Sequence, residues 1–300
     1  MVKPIAREAR EVALARLRRF LEGADTGDFR TADDFADAAV EEVKQAYQGS
    51  FTTPRAEKAV QRTTKEIYTF YRLRDTTPFG NSQAPRLKFG GPDTRALRFF
   101  NQLDGFYFSQ FVDNRRPELI NFFREEYLEK GAALFGRDTG ESINDFRRAA
   151  GGKLDNLNDY AVRTIITSSV QRIRNYAHIR QLGQGSLKWA KIIAIIDSKT
   201  SPVCRFLDGK YIRIKTAVAT VDRFSKMEPG EYALELYKSE AGRAYSTNPV
   251  EYVKERVGAN GVIADSLVAE GRGFPPYHPN CRSRIEGQDS AVGDVLPEEE

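Results

Sequence analysis

The chain reads as an α+β protein: a mostly helical N-terminal region, residues 1–150, followed by a small α+β module with a short antiparallel sheet over residues 155–288. Three observations predict this. Apolar residues recur at helical spacing through the first half of the chain. After Trp189 the pattern changes to β-branched, strand-like runs. Turn-forming Pro, Asn and Gly then crowd around residues 273–280.

Each element follows from a local pattern. "PIAREAREVALARLRRFLEG" places Ile5, Val12, Leu17, Phe20 and Leu21 near one face, and Gly23 is a natural stop. "TADDFADAAVEEVKQAYQG" opens on a Thr cap and an acidic first turn, then repeats Phe35, Ala39, Val43 and Tyr47. "RAEKAVQRTTKEIYTFYRLRD" is a third helix that ends before Thr76, Thr77 and Pro78. "TPFGNSQAPRLKFGGPD" reads as a long loop. Helices resume over "TRALRFFNQLDGFYFSQFVDN" and "RPELINFFREEYLEKGAALFG", where Phe and Tyr at helical spacing point to core or an oligomer interface. A further helix is expected over 155–183. "LKWAKIIAIID" is strand-like from Trp189 to Asp197, "GKYIRI" is a second strand opened by Gly209, and "RSRIEG" a short third. Helical segments fill the interval between the second and third strands, and the acidic tail, residues 289–300, is expected to be solvated.

Composition narrows the function classes. A 40% hydrophobic and 29% charged chain is globular, and a net charge of +4 is too mild for a dedicated DNA-binding protein. No apolar run approaches the roughly 18–20 residues that cross a bilayer, so no membrane role is expected. The N-terminus lacks an apolar core followed by a cleavage site, so no signal or transit peptide is expected. Two cysteines in 300 residues argue against a disulfide-built scaffold and for folding in a reducing cytosol.

Two distant segments hold the residues that carry chemistry. The first contains Asp197, Thr200, Ser201, Cys204, Asp208 and Gly209; the second contains His278, Pro279, Asn280, Cys281 and Arg282. If the strand after Trp189 pairs with the strand ending in "RSRIEG", Cys204, His278 and Cys281 meet as two thiolates and an imidazole. Asp197 or Asp208 would then complete a tetrahedral zinc site. A packed pair of reduced thiols and a Cys204–Cys281 disulfide are the alternatives. Arg282 is expected to pair with Asp197 or Asp208 and fix the turn. A catalytic use of the same residues, as a thiol hydrolase or a metal-dependent nuclease, is the rival reading. Against it, Cys204 follows Ser-Pro in an expected turn rather than a helix N-terminus, and two cysteines suit structure better than one activated nucleophile. A zinc deaminase is excluded, because Pro279 and Asn280 follow His278 where a Glu is needed.

The other histidine, His178, is expected at a helix surface or boundary. Around it Arg163, Arg172, Arg174, Arg180, Lys188 and Lys191 fall in a stretch, 160–196, free of Asp and Glu. That stretch is a candidate contact for DNA phosphates or an acidic partner, against a solvated face balanced by acidic neighbours in space.

"DSKTSPVCRFLDGKYI" followed by "PPYHPNCRSRI" resembles the phage Mu F-like family of minor head, or head morphogenesis, proteins of tailed bacteriophages. The resemblance rests on Asp197, Thr200, Ser201, Cys204, Gly209, Pro276, His278, Pro279, Cys281 and Arg282, and covers about residues 160–285. Ser283 departs from it, since many members continue with a further Cys after the Arg. The resemblance implies a non-enzymatic minor capsid protein of the virion. Such a protein would be assembled in the host bacterial cytoplasm and lie inside the head near the portal. Its expected partners are the portal protein, other capsid or scaffolding proteins and packaged double-stranded DNA, with roles in head assembly or DNA packaging. Residues 1–150 would form the portal- or capsid-facing part.

Overall fold

The computed structural model describes residues 2–80, 84–85, 87–135, 140–278 and 280–288. Pro279 and the acidic tail lie outside the described residues. The fold is mostly helical with one small antiparallel sheet. Among the described residues, no helix is long and apolar enough to cross a membrane.

The chain forms two compact units, residues 1–60 with 104–165 and residues 61–103 with 166–300. This differs from a break near residues 150–155. The reason lies in residues 61–103, whose side chains find partners in the C-terminal part. Phe100 packs edge-on to Tyr176, and Phe99 edge-on to Tyr232.

The first unit is built from helices α1 (Val2–Gly23), α2 (Ala32–Phe51), the start of α3 (Pro54–Leu73), the end of α4 (Gly91–Ser109), α5 (Phe111–Asn114), α6 (Arg116–Lys130) and the first part of α7 (Gly140–Leu182). Helix α7 begins well before residue 155, the start its periodicity suggested. Helix α2 starts with a full capping box: the Thr31 hydroxyl accepts from the Asp34 N–H, and the Asp34 carboxylate accepts from the Thr31 N–H. Its face Phe35, Ala39, Val43 and Tyr47 is buried as the spacing predicts. In α1 the buried stripe runs through Ala9, Ala13, Leu14, Leu17 and Leu21, and Val12 stands outside it, 39% exposed. Phe35 anchors the core, with the rings of Phe29, Tyr127, Phe135 and Phe146 around it at centroid distances of 4.9–6.4 Å. One polar lock crosses this core. The Tyr47 hydroxyl donates to Asn158 Oδ1 at 2.6 Å, and Asn158 Nδ2 donates to the Ala6 carbonyl at 3.3 Å.

The second unit carries the sheet, in strand order β2–β1–β3, with both pairings antiparallel. Strands β1 (Trp189–Ile193), β2 (Tyr211–Arg213) and β3 (Arg284–Gln288) place Ala190 opposite Ile212 and Ile192 opposite Ile285. These four residues are buried, which gives the sheet its apolar face. β1 stops at Ile193 rather than Asp197. There the Ala194 N–H turns onto the Asp208 carboxylate at 2.8 Å, and Ile195 and Ile196 are half exposed. Between β1 and β2 lies α8 (Pro202–Leu207). After β2 follow α9 (Ile214–Phe224), α10 (Pro229–Ala233), a π-helical stretch (Leu234–Lys238), α11 (Glu240–Thr247), α12 (Pro249–Lys254) and α13 (Asp265–Ala269).

Buried polar groups brace this unit. Arg72 and Asp93 pair at 2.8 Å and are 0% and 1% exposed. Asp93 also accepts from the Tyr68 hydroxyl and the Gly90 N–H, and Arg72 donates to the Lys88 carbonyl. His178 is fully buried instead of lying at a helix surface. Its Nε2 meets Asp75 Oδ2 at 3.1 Å, the Tyr71 ring stands edge-on to it, and Gln181 donates to the Asp75 carbonyl. A carboxylate only accepts, so His178 donates from Nε2. Burial holds its pKa down, and the His178 hydrogen bond holds the Asp75 carboxyl down in turn.

Candidate metal centre

The centre lies at one end of the sheet, where the loop after β1 and the loop before β3 come together. The antiparallel pairing of β1 with β3 causes this. It sets Ile193 opposite Arg284, so the chain leaving β1 and the chain entering β3 share one end of the sheet.

The first loop is tied by its own side chains. The Asp197 N–H donates to Thr200 Oγ1 and the Lys199 N–H to Asp197 Oδ1, both at 2.8 Å. Ser201 then caps α8, its hydroxyl accepting from the Cys204 N–H. Cys204 therefore sits in the first turn of a short helix, not in the turn its Ser-Pro context suggested. Gly209 closes the loop at φ +75°, a left-handed conformation suited to glycine, and its N–H donates to the Ile192 carbonyl. The second loop contains a cis Pro275–Pro276 bond and a left-handed Asn280, φ 61°. The Cys281 N–H donates to the His278 carbonyl at 3.2 Å, which folds the His and Cys side chains to the same side.

Across the two loops, His278 Nε2 lies 3.1 Å from Cys204 Sγ and 2.8 Å from Ser201 Oγ, and the two sulfurs are 3.8 Å apart. Both thiols are free, and Cys204 and Cys281 are 3% and 0% exposed. Cys204, His278 and Cys281 form a group able to hold a metal ion, with all three ligand atoms within 4.8 Å of one another. Thiolate sulfurs bound to one tetrahedral ion at about 2.3 Å stand about 3.8 Å apart, so the sulfur separation fits such an ion. The electrostatics fit as well. The proton shared between the sulfurs holds the Cys204 pKa down through Cys281, with His278 and Ser201 adding to this. It pushes the Cys281 thiol up. A bound cation would relieve both by replacing that proton.

Asp197 does not belong to this group. Both its oxygens are taken by Arg282, at 2.6 and 2.7 Å, in a bidentate pair that holds its carboxyl pKa well down. Asp208 is likewise outside the group, and its Oδ1 accepts from the Ala194 N–H. Arg282 thus clamps the second loop onto the first through Asp197, one of its two expected partners. Pro279 lies outside the described residues.

The basic residues do not form one free stripe. Arg180 is paired to Asp222 at 2.6 Å, Arg174 lies over Tyr71 and Lys191 over Tyr211. Arg172 sits beside Tyr232. Arg163 is exposed and stands 3.9 Å from Asp159, and Lys188 is exposed. No family model, no curated protein and no solved structure matches this chain.

Sequence reasoning did not reach the Arg72–Asp93 pair or the Asp75 partner of His178. No local spacing links Asp75 to a histidine 103 positions away.

Proposed function

We propose that the chain is a non-enzymatic minor head protein of a tailed bacteriophage. It would associate with the portal and act in head assembly or the handling of packaged DNA, and Cys204, His278 and Cys281 would hold one structural zinc ion. One observation supports this above all. Residues on which the Mu F-like resemblance rests, from two segments more than 70 positions apart, converge into a single knot: Cys204 with His278, and Asp197 with Arg282. A motif whose members cross-link two loops has a structural use, and two thiols with an imidazole suit zinc. The ion would neutralise the buried sulfurs and hold the second loop to the first.

The thiol-hydrolase rival draws on the 3.1 Å Cys204–His278 contact. It is disfavoured by the burial of Cys204 and by Cys281, which shares the sulfur's proton.

Two experiments test the reading. Co-expression with the portal and capsid proteins of its own genome, followed by mass spectrometry of purified procapsids, should find the full chain in portal-containing heads. Its absence from those heads would remove the assembly role. Elemental analysis of the purified protein should find one zinc per chain, lost in Cys204→Ala. At free zinc near 100 times its dissociation constant, the ion should stabilise the second unit by about 2.7 kcal/mol, read by amide exchange, with the first unit unaffected. Metal-free protein in which only Cys204 reacts rapidly with iodoacetamide would favour the hydrolase instead.

A further inference from the structure

The two sulfurs of the centre are neighbours, and no other thiol in the chain competes for either. Cys204 and Cys281 are the only cysteines in the sequence, both are free, and their Sγ atoms lie 3.8 Å apart although 77 positions separate them. A disulfide sets its sulfurs about 2.05 Å apart, so closure needs an approach of about 1.8 Å. Cys204 is fixed in α8, whereas Cys281 lies in a loop outside helix and strand and can move without unwinding an element. Two contacts that involve no sulfur hold the loops together meanwhile. One is the bidentate Asp197–Arg282 pair at 2.6 and 2.7 Å, and the other is the β1–β3 register that sets Ile193 opposite Arg284. The thiols therefore stay at high effective concentration whether the site is loaded or not. With Cys204 3% and Cys281 0% exposed, bulky oxidants are kept out, and a small neutral hydroperoxide is the class that fits.

We propose that Cys204 and Cys281 form a redox pair, in which hydrogen peroxide converts the two thiolates into a disulfide and so releases the bound ion. The release rests on the metal reading above; the pairing rests on the sulfur contact alone. One thiolate sulfur attacks a peroxide oxygen, forming an S–O bond as the O–O bond breaks and hydroxide leaves. The other thiolate attacks the sulfur of that sulfenic acid, forming the S–S bond and expelling a second hydroxide. Two solvent protons turn both hydroxides into water. The two sulfurs together give up two electrons, and the peroxide takes them. Disulfide sulfurs carry no charge to hold a divalent cation, so His278 alone of the three ligands is left. The loops stay joined in both states, first through the ion and then through the covalent bond. The clamp therefore survives a change from reducing to oxidising surroundings.

The test uses the full-length wild-type protein, reduced, loaded with zinc and freed of excess metal. Hydrogen peroxide in moderate excess should release one zinc per chain, read with a chromogenic chelator. Mass spectrometry of the intact chain and its peptides should show the loss of two hydrogens and a Cys204–Cys281 link within one chain. Dithiothreitol with added zinc should restore the starting state. Zinc retained over reduced thiols, sulfinic acid at either cysteine in place of the link, or links only between chains would overturn the redox pair and leave the metal reading standing. Protein that takes up no zinc but closes the link would overturn the metal reading and leave the pairing of the sulfurs, so the two failures are distinct.

Discussion

The two units are held together by different physics. The first rests on aromatic and aliphatic packing around Phe35, with a buried polar lock through Tyr47 and Asn158. The second holds both histidines, both cysteines and polar pairs set into its interior, among them Arg72–Asp93 and Asp75–His178. Burial of apolar surface tolerates small shifts, whereas a buried charge is stable only with its partners in place. The difference therefore separates a packing unit from one whose geometry is specified by polar pairing. A metal centre needs the second kind, because its ligands must be held where they do not relax apart.

The largest expected effect lies at Arg72. Arg72→Ala leaves the Asp93 carboxylate buried without its counter-charge, and should cost about 3–5 kcal/mol in chemical denaturation. The double change Arg72→Met/Asp93→Leu should recover part of that loss. A cost below about 1 kcal/mol for the single change would show that Tyr68 and the Gly90 N–H suffice for Asp93. In the first unit, Phe35→Ala opens a cavity among the surrounding aromatic rings and should also cost about 3–5 kcal/mol. It should leave metal content unchanged, and a fall in zinc stoichiometry would mean that the units do not behave independently. Thr31→Ala removes half of the capping box and should cost about 1 kcal/mol, visible as faster amide exchange at the start of α2. Protection equal to wild type there would assign the stability of α2 to packing alone.

The smallest effect, and the sharpest in placing the difference, is in pH. The unfolded chain protonates His178 near its ordinary value of 6.5, while burial keeps the folded-state value lower. The unfolded state therefore takes up the proton first. Stability of the second unit is full above that pH and falls as pH drops below it towards the lowered folded value. Asp75 has the same sign at more acid pH: its depressed carboxyl contributes above its ordinary value of 3.8, and the contribution is lost on further acidification. Arg174 and Arg284 also face His178 and push its pKa the same way. The first unit holds no histidine, so its stability should stay flat between about pH 7 and pH 5. Amide exchange of zinc-loaded protein at both pH values reads this directly. A slope unchanged in His178→Asn would assign it to another group.

The features legible along the chain are mostly local ones. Helical spacing was enough to bury Phe35, Ala39, Val43 and Tyr47, and β-branched runs were enough to place three strands, because these patterns depend only on neighbours a few positions apart. The meeting of Cys204 with His278 and Cys281 was legible too, because it followed from pairing the strands that flank them. Val12 was misplaced since one helical face can hold more apolar residues than the core covers. The units' boundary, the choice of Asp197 over Asp208 as the partner of Arg282, and the burial of His178 on Asp75 come from the tertiary structure. Each depends on which of several chemically suitable partners lies within hydrogen-bond reach once distant segments pack, and hydrogen-bond energy is lost over about an ångström. No spacing along the chain carries that information.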